Sequence, residues 1–216
     1  MAVAQQVSDL PYADALVTTS GPLDPGGDYD SAWFDSVAFD EPDVGNARFL
    51  ECAFTAVTFS GGQLRRARFN DVWMRGARIT GTVLIESVWL DTALVSCALS
   101  GVEAYSAQLR RVRFVGCKLD SVNLRAALLD DVTFESCSLT DLDLADASLT
   151  NVRFPGSDVR GMRLPRATLE QVDFRGATTL AVADGYESLR GAIIDGGQLI
   201  EIAPGLAAAL GVVVDD

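Results

Sequence analysis

Histidine is missing from this chain of 216 residues. Its absence removes the side chain that most often serves as a general base and as a metal ligand. Nowhere does the sequence combine a nucleophile, a base and an oxyanion hole. We therefore predict that the chain is not an enzyme and that it uses no cofactor, no metal ion and no small-molecule substrate.

Long apolar runs and early basic residues are also scarce. The longest uncharged apolar run covers residues 202–214 and contains Pro204. Because a membrane-spanning helix needs about 20 apolar residues, this run is too short to cross a bilayer. The first basic residue is Arg48, which argues against a secretory signal peptide. The sequence thus predicts a soluble, cytoplasmic protein with no membrane partner.

Positive charge is low overall. The chain has 17 Lys and Arg against 30 Asp and Glu, which gives a formal net charge of −13. Proteins that bind a phosphate backbone do so through a basic surface. We therefore predict no direct binding of nucleic acid.

What the sequence does contain is a period of five. Every fifth position from Phe34 to Phe174 holds an apolar residue, and all ten phenylalanines fall in this series. A second series, two residues earlier in each pentad, holds small and mostly apolar residues, including all four cysteines. Residues two apart on a strand share a face. Each pentad is therefore predicted to be a very short strand that points one large and one small side chain inward.

Glycines and a longer rhythm predict how these strands close into coils. Eight glycines stand two residues after the large apolar residue, where a turn with positive φ favours glycine. Alanine or serine also recurs at every fourth pentad from Ala47 to Ala167, so four pentads make one coil. The sequence predicts an all-β fold, a right-handed four-sided β-helix (a solenoid) with a short C-terminal helical cap.

Several pentads resemble the repeat of the pentapeptide-repeat proteins, in which Ala and then Asp or Asn precede Leu or Phe. The best matches are VNLRA at 122–126, LDLAD at 142–146 and ASLTN at 147–151. Most other pentads depart from the Asp or Asn position, which the fold tolerates. Because the register runs unbroken from 34 to 174, the chain is most similar to the loop-free, gyrase-protecting members of the mycobacterial fluoroquinolone-resistance type.

The two ends lack the pentad pattern. Residues 1–30 hold acids and no base, and we interpret them as an acidic N-terminal segment or cap. Residues 31–179 form the predicted β-helix, and 180–216 form a C-terminal cap. The resemblance implies that two copies dimerise end to end through this last segment, and the alternative is a monomer with an intramolecular cap. The predicted interface consists of apolar residues at helical spacing: Leu199, Ile202, Leu206, Ala209, Leu210 and Val213.

One stretch of the predicted rod is strongly acidic. Residues 119–151, which we call the acidic band, hold seven acids and one base. The acids are Asp120, Asp130, Asp131, Glu135, Asp141, Asp143 and Asp146. Their local charge density approaches that of duplex DNA. The resemblance then implies a DNA mimic that binds DNA gyrase or topoisomerase IV and confers resistance to quinolones or another gyrase poison. The alternative is a protein-interaction scaffold with an unknown partner.

Three other groups of residues have simpler interpretations. Cys97, Cys117 and Cys137 are separated by four pentads each and are predicted to be stacked, buried free thiols rather than a metal site. The carboxylates of Glu51, Asp71 and Asp91 have the same spacing and are interpreted as solvated surface charge. The arginine clusters at 65–68 and 110–113 have no assigned role.

Overall fold

The chain winds into a four-sided β-helix with four pentads in each coil. The computed structural model describes residues 3–213. Three sides of the rod are parallel β-sheets, and the fourth is a row of single β-bridges. Two of the sheets have eight strands each, so the rod has about eight coils. The predicted β-helix is confirmed.

We name the four sides in the order in which a coil visits them. Face A holds Val17–Thr18, Ala32–Asp35, Ala53–Thr55, Trp73–Arg75, Ala93–Val95, Arg113–Val115 and Thr133–Glu135. Face B holds Ala38–Asp40, Thr58–Ser60, Arg78–Thr80, Ala98–Ser100, Lys118–Asp120, Ser138–Thr140, Asp158–Arg163 and Thr179–Asp184. Face C is the row of bridges at 43, 63, 83, 103, 123, 143 and 163. Face D holds Asp28–Asp30, Arg48–Leu50, Arg68–Asn70, Val88–Leu90, Gln108–Arg110, Leu128–Asp130, Ser148–Thr150 and Thr168–Glu170.

Strands pair in a register of four pentads, as the sequence rhythm predicts. On face A, Phe114 pairs with Phe134, and on face D, Leu129 pairs with Leu149. Equivalent residues of successive coils therefore stack in straight columns along the rod. The columns of large apolar residues fill its interior.

The interior is packed with stacked aromatic rings. All ten phenylalanines are buried, each with 5% or less of its surface exposed. Phe114, Phe134, Phe154 and Phe174 form a continuous ladder, with successive ring centroids 4.8, 5.2 and 4.8 Å apart. The planes in this ladder lie within 10° of parallel. Stacking of this kind adds roughly 0.5–1.5 kcal/mol per pair to the gain from burial.

Every corner of the rod uses a left-handed backbone conformation. The corner residue of each pentad from Ser31 to Gly176 has positive φ, and 22 of these corner residues are not glycine. This conformation costs an ordinary residue about 1–2 kcal/mol. The stacked coils hold it, because the corner N–H donates to a carbonyl of the next coil, as from Ala126 to Ala145 O at 2.8 Å. The glycine slot predicts the corner position, but glycine fills only eight of these corners.

The N-terminal segment covers part of one side as well as one end. Val17–Thr18 pairs with the first coil strand of face A. The residues before it, 3–16, form an arm along the outside of face A and include short 3-10 helices at Val7–Asp9 and Ala13–Ala15. Leu10 of the arm is buried against Trp73, whose Nε1 donates to Ala4 O at 3.0 Å. The arm therefore lies along the outside of the rod, a position that the interpretation as an acidic segment or cap did not specify.

The C-terminal end of the rod is closed by a helix. After face B ends, the chain forms a 3-10 turn at Tyr186–Leu189 and a strand at Ala192–Ile193, and then helix α1 at Gly196–Ala209. Asp195 caps α1, since its side chain accepts from Gln198 N at 2.9 Å. Gln198 Nε2 in turn donates to Phe174 O at 2.7 Å, which fixes α1 on the last coil. None of the helices in residues 3–213 has the length and apolar character needed to cross a membrane. Residues 214–216 of the predicted cap lie outside the described chain.

Candidate interaction surfaces

The acidic band encircles the rod instead of forming a stripe on one side. The pentad register places three of its members on different faces: Asp120 on face B, Asp130 on face D and Glu135 on face A. Asp143 lies on face C. The remaining members, Asp131, Asp141 and Asp146, are corner residues with positive φ. A partner that contacts one side of the rod would therefore meet only some of the seven.

Five of the seven acids form ion pairs with arginines. The pairs are Asp130–Arg110 at 3.5 Å, Asp131–Arg153 at 3.5 Å, Glu135–Arg113 at 3.0 Å, Asp143–Arg125 at 3.5 Å and Asp146–Arg166 at 2.6 Å. Hydrogen bonds from Arg166 hold the pKa of Asp146 below its usual value. Only Asp120 and Asp141 have no arginine within ion-pair distance among residues 3–213. The band is thus less negative at its surface than its sequence composition indicates.

The arginine cluster at 110–113 takes part in the same pairing. Arg110 faces Asp130, Arg113 faces Glu135, and Arg111 holds Asp91 with two hydrogen bonds of 2.6 and 2.7 Å. These bonds lower the pKa of Asp91. This cluster therefore neutralises acids of neighbouring coils.

Helix α1 divides the predicted dimer interface into two groups. Ile202 is 3% exposed and packs on the last coil, and Leu206 is partly buried against the same core. Leu199, Leu210 and Val213 are 49%, 80% and 87% exposed, and Ala209 is also exposed. Ile200, at 76% exposed, belongs to the outward surface as well, although the sequence interpretation did not include it. Ile200 and Ala203 are three residues apart, and this helical spacing was the signal in the sequence that could have placed Ile200 on the outward surface.

The cysteines are buried, as predicted, and all four are free. In the stacked column, Cys97 N donates to Cys117 Sγ at 3.4 Å. Burial raises the pKa of Cys52 to about 11. No group of three or more metal-ligating side chains with suitable geometry occurs within residues 3–213.

These observations define the class of protein: a parallel β-helix built from pentads, with four pentads to a coil. Two family models match the chain, "Pentapeptide repeat region" over residues 87–160 and "Pentapeptide repeats (8 copies)" over 143–178. Residues 87–178 therefore match models of pentapeptide repeats, and the chain resembles the pentapeptide-repeat proteins.

Two similar solved structures are of interest. HetL, a pentapeptide repeat protein involved in heterocyst differentiation regulation from the cyanobacterium Nostoc, is 18% identical, and the match covers 82% of this chain and 93% of HetL with a TM-score of 0.32. A trypsin-treated form of QnrB1, a plasmid-mediated fluoroquinolone resistance protein, is 16% identical, and the match covers 88% of this chain and 100% of QnrB1 with a TM-score of 0.40. No curated protein sequence matches the chain.

Proposed function

We propose that this chain is a protein-interaction scaffold. The observation that carries the proposal is the straight columns of outward side chains along the three parallel sheets. Solenoid proteins use such extended regular surfaces to bind other macromolecules. The net charge of −13 favours a protein partner with a basic surface and disfavours nucleic acid.

A finer candidate for the partner is DNA gyrase or topoisomerase IV, bound where its DNA segment lies. The resemblance to gyrase-protecting members supports this candidate, as does the net charge of the acidic band. Asp120 and Asp141 are the two members of the band whose charge no arginine offsets within residues 3–213. We therefore expect them to contribute most to such a contact. The consequence would be inhibition of supercoiling, or relief from a quinolone or another gyrase poison.

The test is a supercoiling assay with purified gyrase, relaxed plasmid and the full chain at micromolar concentration. We expect inhibition, or reduced quinolone sensitivity, that weakens as salt is raised. Asp120→Asn with Asp141→Asn should weaken the effect, and the matched control is Asp28→Asn, an exposed acid of the first coil. Unchanged supercoiling and unchanged quinolone sensitivity would reject gyrase and leave a scaffold for another partner.

We also propose that two copies pair through the outward surface of α1. Ile200 and Leu210 are more than three-quarters exposed on a single rod, and apolar surface of this kind is stabilised by burial. Light scattering should show a dimer for the unmodified chain and a monomer for Ile200→Asp with Leu210→Asp. Leu128→Asp, at a 51% exposed leucine in the middle of face D, is the control and should remain dimeric. A monomeric unmodified chain at micromolar concentration would contradict the proposal.

A further inference from the structure

The arginine cluster at 65–68 differs from the cluster at 110–113. Arg66 pairs with Glu86 at 2.7 Å, but Arg65 Nε donates to the neutral Gln63 Oε1, at 3.0 Å. Arg68 has no carboxylate within ion-pair distance among residues 3–213. Ion pairs within the chain therefore neutralise the arginine cluster at 110–113. The cluster at 65–68 keeps excess positive charge.

A fourth arginine joins this cluster through the register of face D. Arg48 and Arg68 are directly paired residues on neighbouring strands, about 4.8 Å apart along the rod. Like charges in this position destabilise a sheet. Asp28 lies 3.6 Å from Arg48, and both of these side chains are mostly exposed. Such exposed ion pairs contribute little, so a ligand carboxylate can replace Asp28 at small cost.

Three of these arginines line a groove at the corner between faces C and D. We call it the basic groove; its volume is about 510 Å³, and Arg48, Arg66 and Arg68 project into it. One acid, Glu86, also lines the groove and pairs with Arg66, so the three arginines remain in excess over acids there. The other lining residues are Val88 and the neutral polar Asn46, Ser106 and Gln108. The guanidinium fork matches a carboxylate or phosphate with two parallel hydrogen bonds. The groove thus combines excess positive charge with the geometry to bind anions.

We propose that the basic groove binds an acidic peptide segment of a partner protein, a proposal that rests on the scaffold function. Arg48 and Arg68 stand on coils about 4.8 Å apart, and alternate residues of an extended peptide lie about 6.8 Å apart, a difference that the long arginine side chains can span. In such a peptide, carboxylates on alternate residues point to the same side, toward the stacked guanidinium groups.

A long nucleic acid fits this surface less well. The acids Asp28 and Asp30 lie in the coil below Arg48, and Glu51 and Asp71 lie along the other edge of face D. A duplex extending past the groove would meet these carboxylates and would be repelled. A short acidic peptide is small enough to avoid them.

The test uses a labelled synthetic peptide of four Glu-Ser repeats and fluorescence anisotropy at low salt with the full chain. We expect saturable binding of this peptide and none of an uncharged Gln-Ser peptide of equal length. Arg48→Gln with Arg68→Gln should reduce affinity by about tenfold or more, because charged hydrogen bonds are lost. The control, Arg110→Gln with Arg111→Gln, removes two arginines already paired with acids and should change affinity less than about twofold.

Three results would overturn the proposal: no binding of the Glu-Ser peptide, equal losses in both double variants, or tighter binding of a single-stranded oligonucleotide of equal charge. Circular dichroism and the thermal midpoint establish that each variant is folded. The supercoiling assay tests acidic residues of the acidic band, whereas the peptide assay tests arginines of the basic groove. Failure of gyrase binding would therefore leave peptide affinity unchanged. Peptide binding could likewise fail while gyrase inhibition persists, which keeps the two proposals separable.

Discussion

Replacing a corner alanine with glycine should stabilise this protein, or at least leave it unharmed. Ala126 has φ of 53°, a conformation that costs a residue with a Cβ about 1–2 kcal/mol. Ala126→Gly removes that cost but gives the unfolded chain more freedom, which is worth about 0.5–1 kcal/mol in the opposite direction. The net expectation is a free energy of unfolding that is unchanged or about 1 kcal/mol higher.

The matched control is the same change at Ala98, which is similarly half-buried in the strand Ala98–Ser100. Ala98 is not among the residues with positive φ, so Ala98→Gly has no strain to relieve and should cost about 0.5–1 kcal/mol. Because both variants replace alanine with glycine, the unfolded-state effect cancels when they are compared. Their free energies of unfolding should differ by about 1–2 kcal/mol in favour of Ala126→Gly.

Urea unfolding followed by circular dichroism measures both variants under the same conditions, and equal slopes establish that the comparison is valid. The corner N–H to Ala145 O bond does not involve the side chain, so it persists in the variant. Equal destabilisation by the two substitutions would refute the reasoning, because it would mean that the stacked coils remove the cost of the left-handed corner.

Three further predictions concern the core, the arm and the thiols. Phe134→Ala should cost roughly 3–5 kcal/mol, since the ring is fully buried between two stacked rings; a loss below about 1 kcal/mol in urea would contradict the ladder. A chain that begins at residue 17 should expose Trp73, now 2% exposed, and shift tryptophan emission to longer wavelength; unchanged emission would mean that the arm does not cover face A. The four buried cysteines should not react with Ellman's reagent until urea unfolds the rod, and prompt reaction at neutral pH would contradict their burial.

The period of five was sufficient to predict the coil, its inward positions and the four-pentad register. It located the corners through glycine, but it did not reveal that residues such as Arg66 and Asp131 adopt the same left-handed backbone. Propensity alone does not predict this, because the hydrogen bonds from the next coil impose the conformation. Stacking overrides the local preference of the residue.

The arm on face A was missed because residues 3–16 carry no repeat. A signal was nevertheless present in the repeat region, where Trp33, Ala53, Trp73 and Ala93 form an apolar column in an outward position. Outward apolar residues at four-pentad spacing indicate a covered surface. The structure shows that Leu10 and its neighbours cover it.

The acidic band was overestimated for a related reason. Counting charges along the sequence treats Asp130 and Arg110 as members of separate segments, although the register stacks them in adjacent coils. Arg166 and Asp146 are likewise separated by four pentads and in contact. Counting charges by column would have predicted these pairs.

The four-sided coil also determines which insertions and deletions this chain can tolerate. A duplication of four pentads would add one coil of about 4.8 Å and leave every column aligned. A duplication of one pentad would keep the inward positions inward but turn everything beyond it by a quarter of a revolution. Several coils separate the basic groove from helix α1 along the chain. Length changes in steps of one pentad between them could therefore turn the groove relative to α1 during evolution, without any change in the residues that form either one.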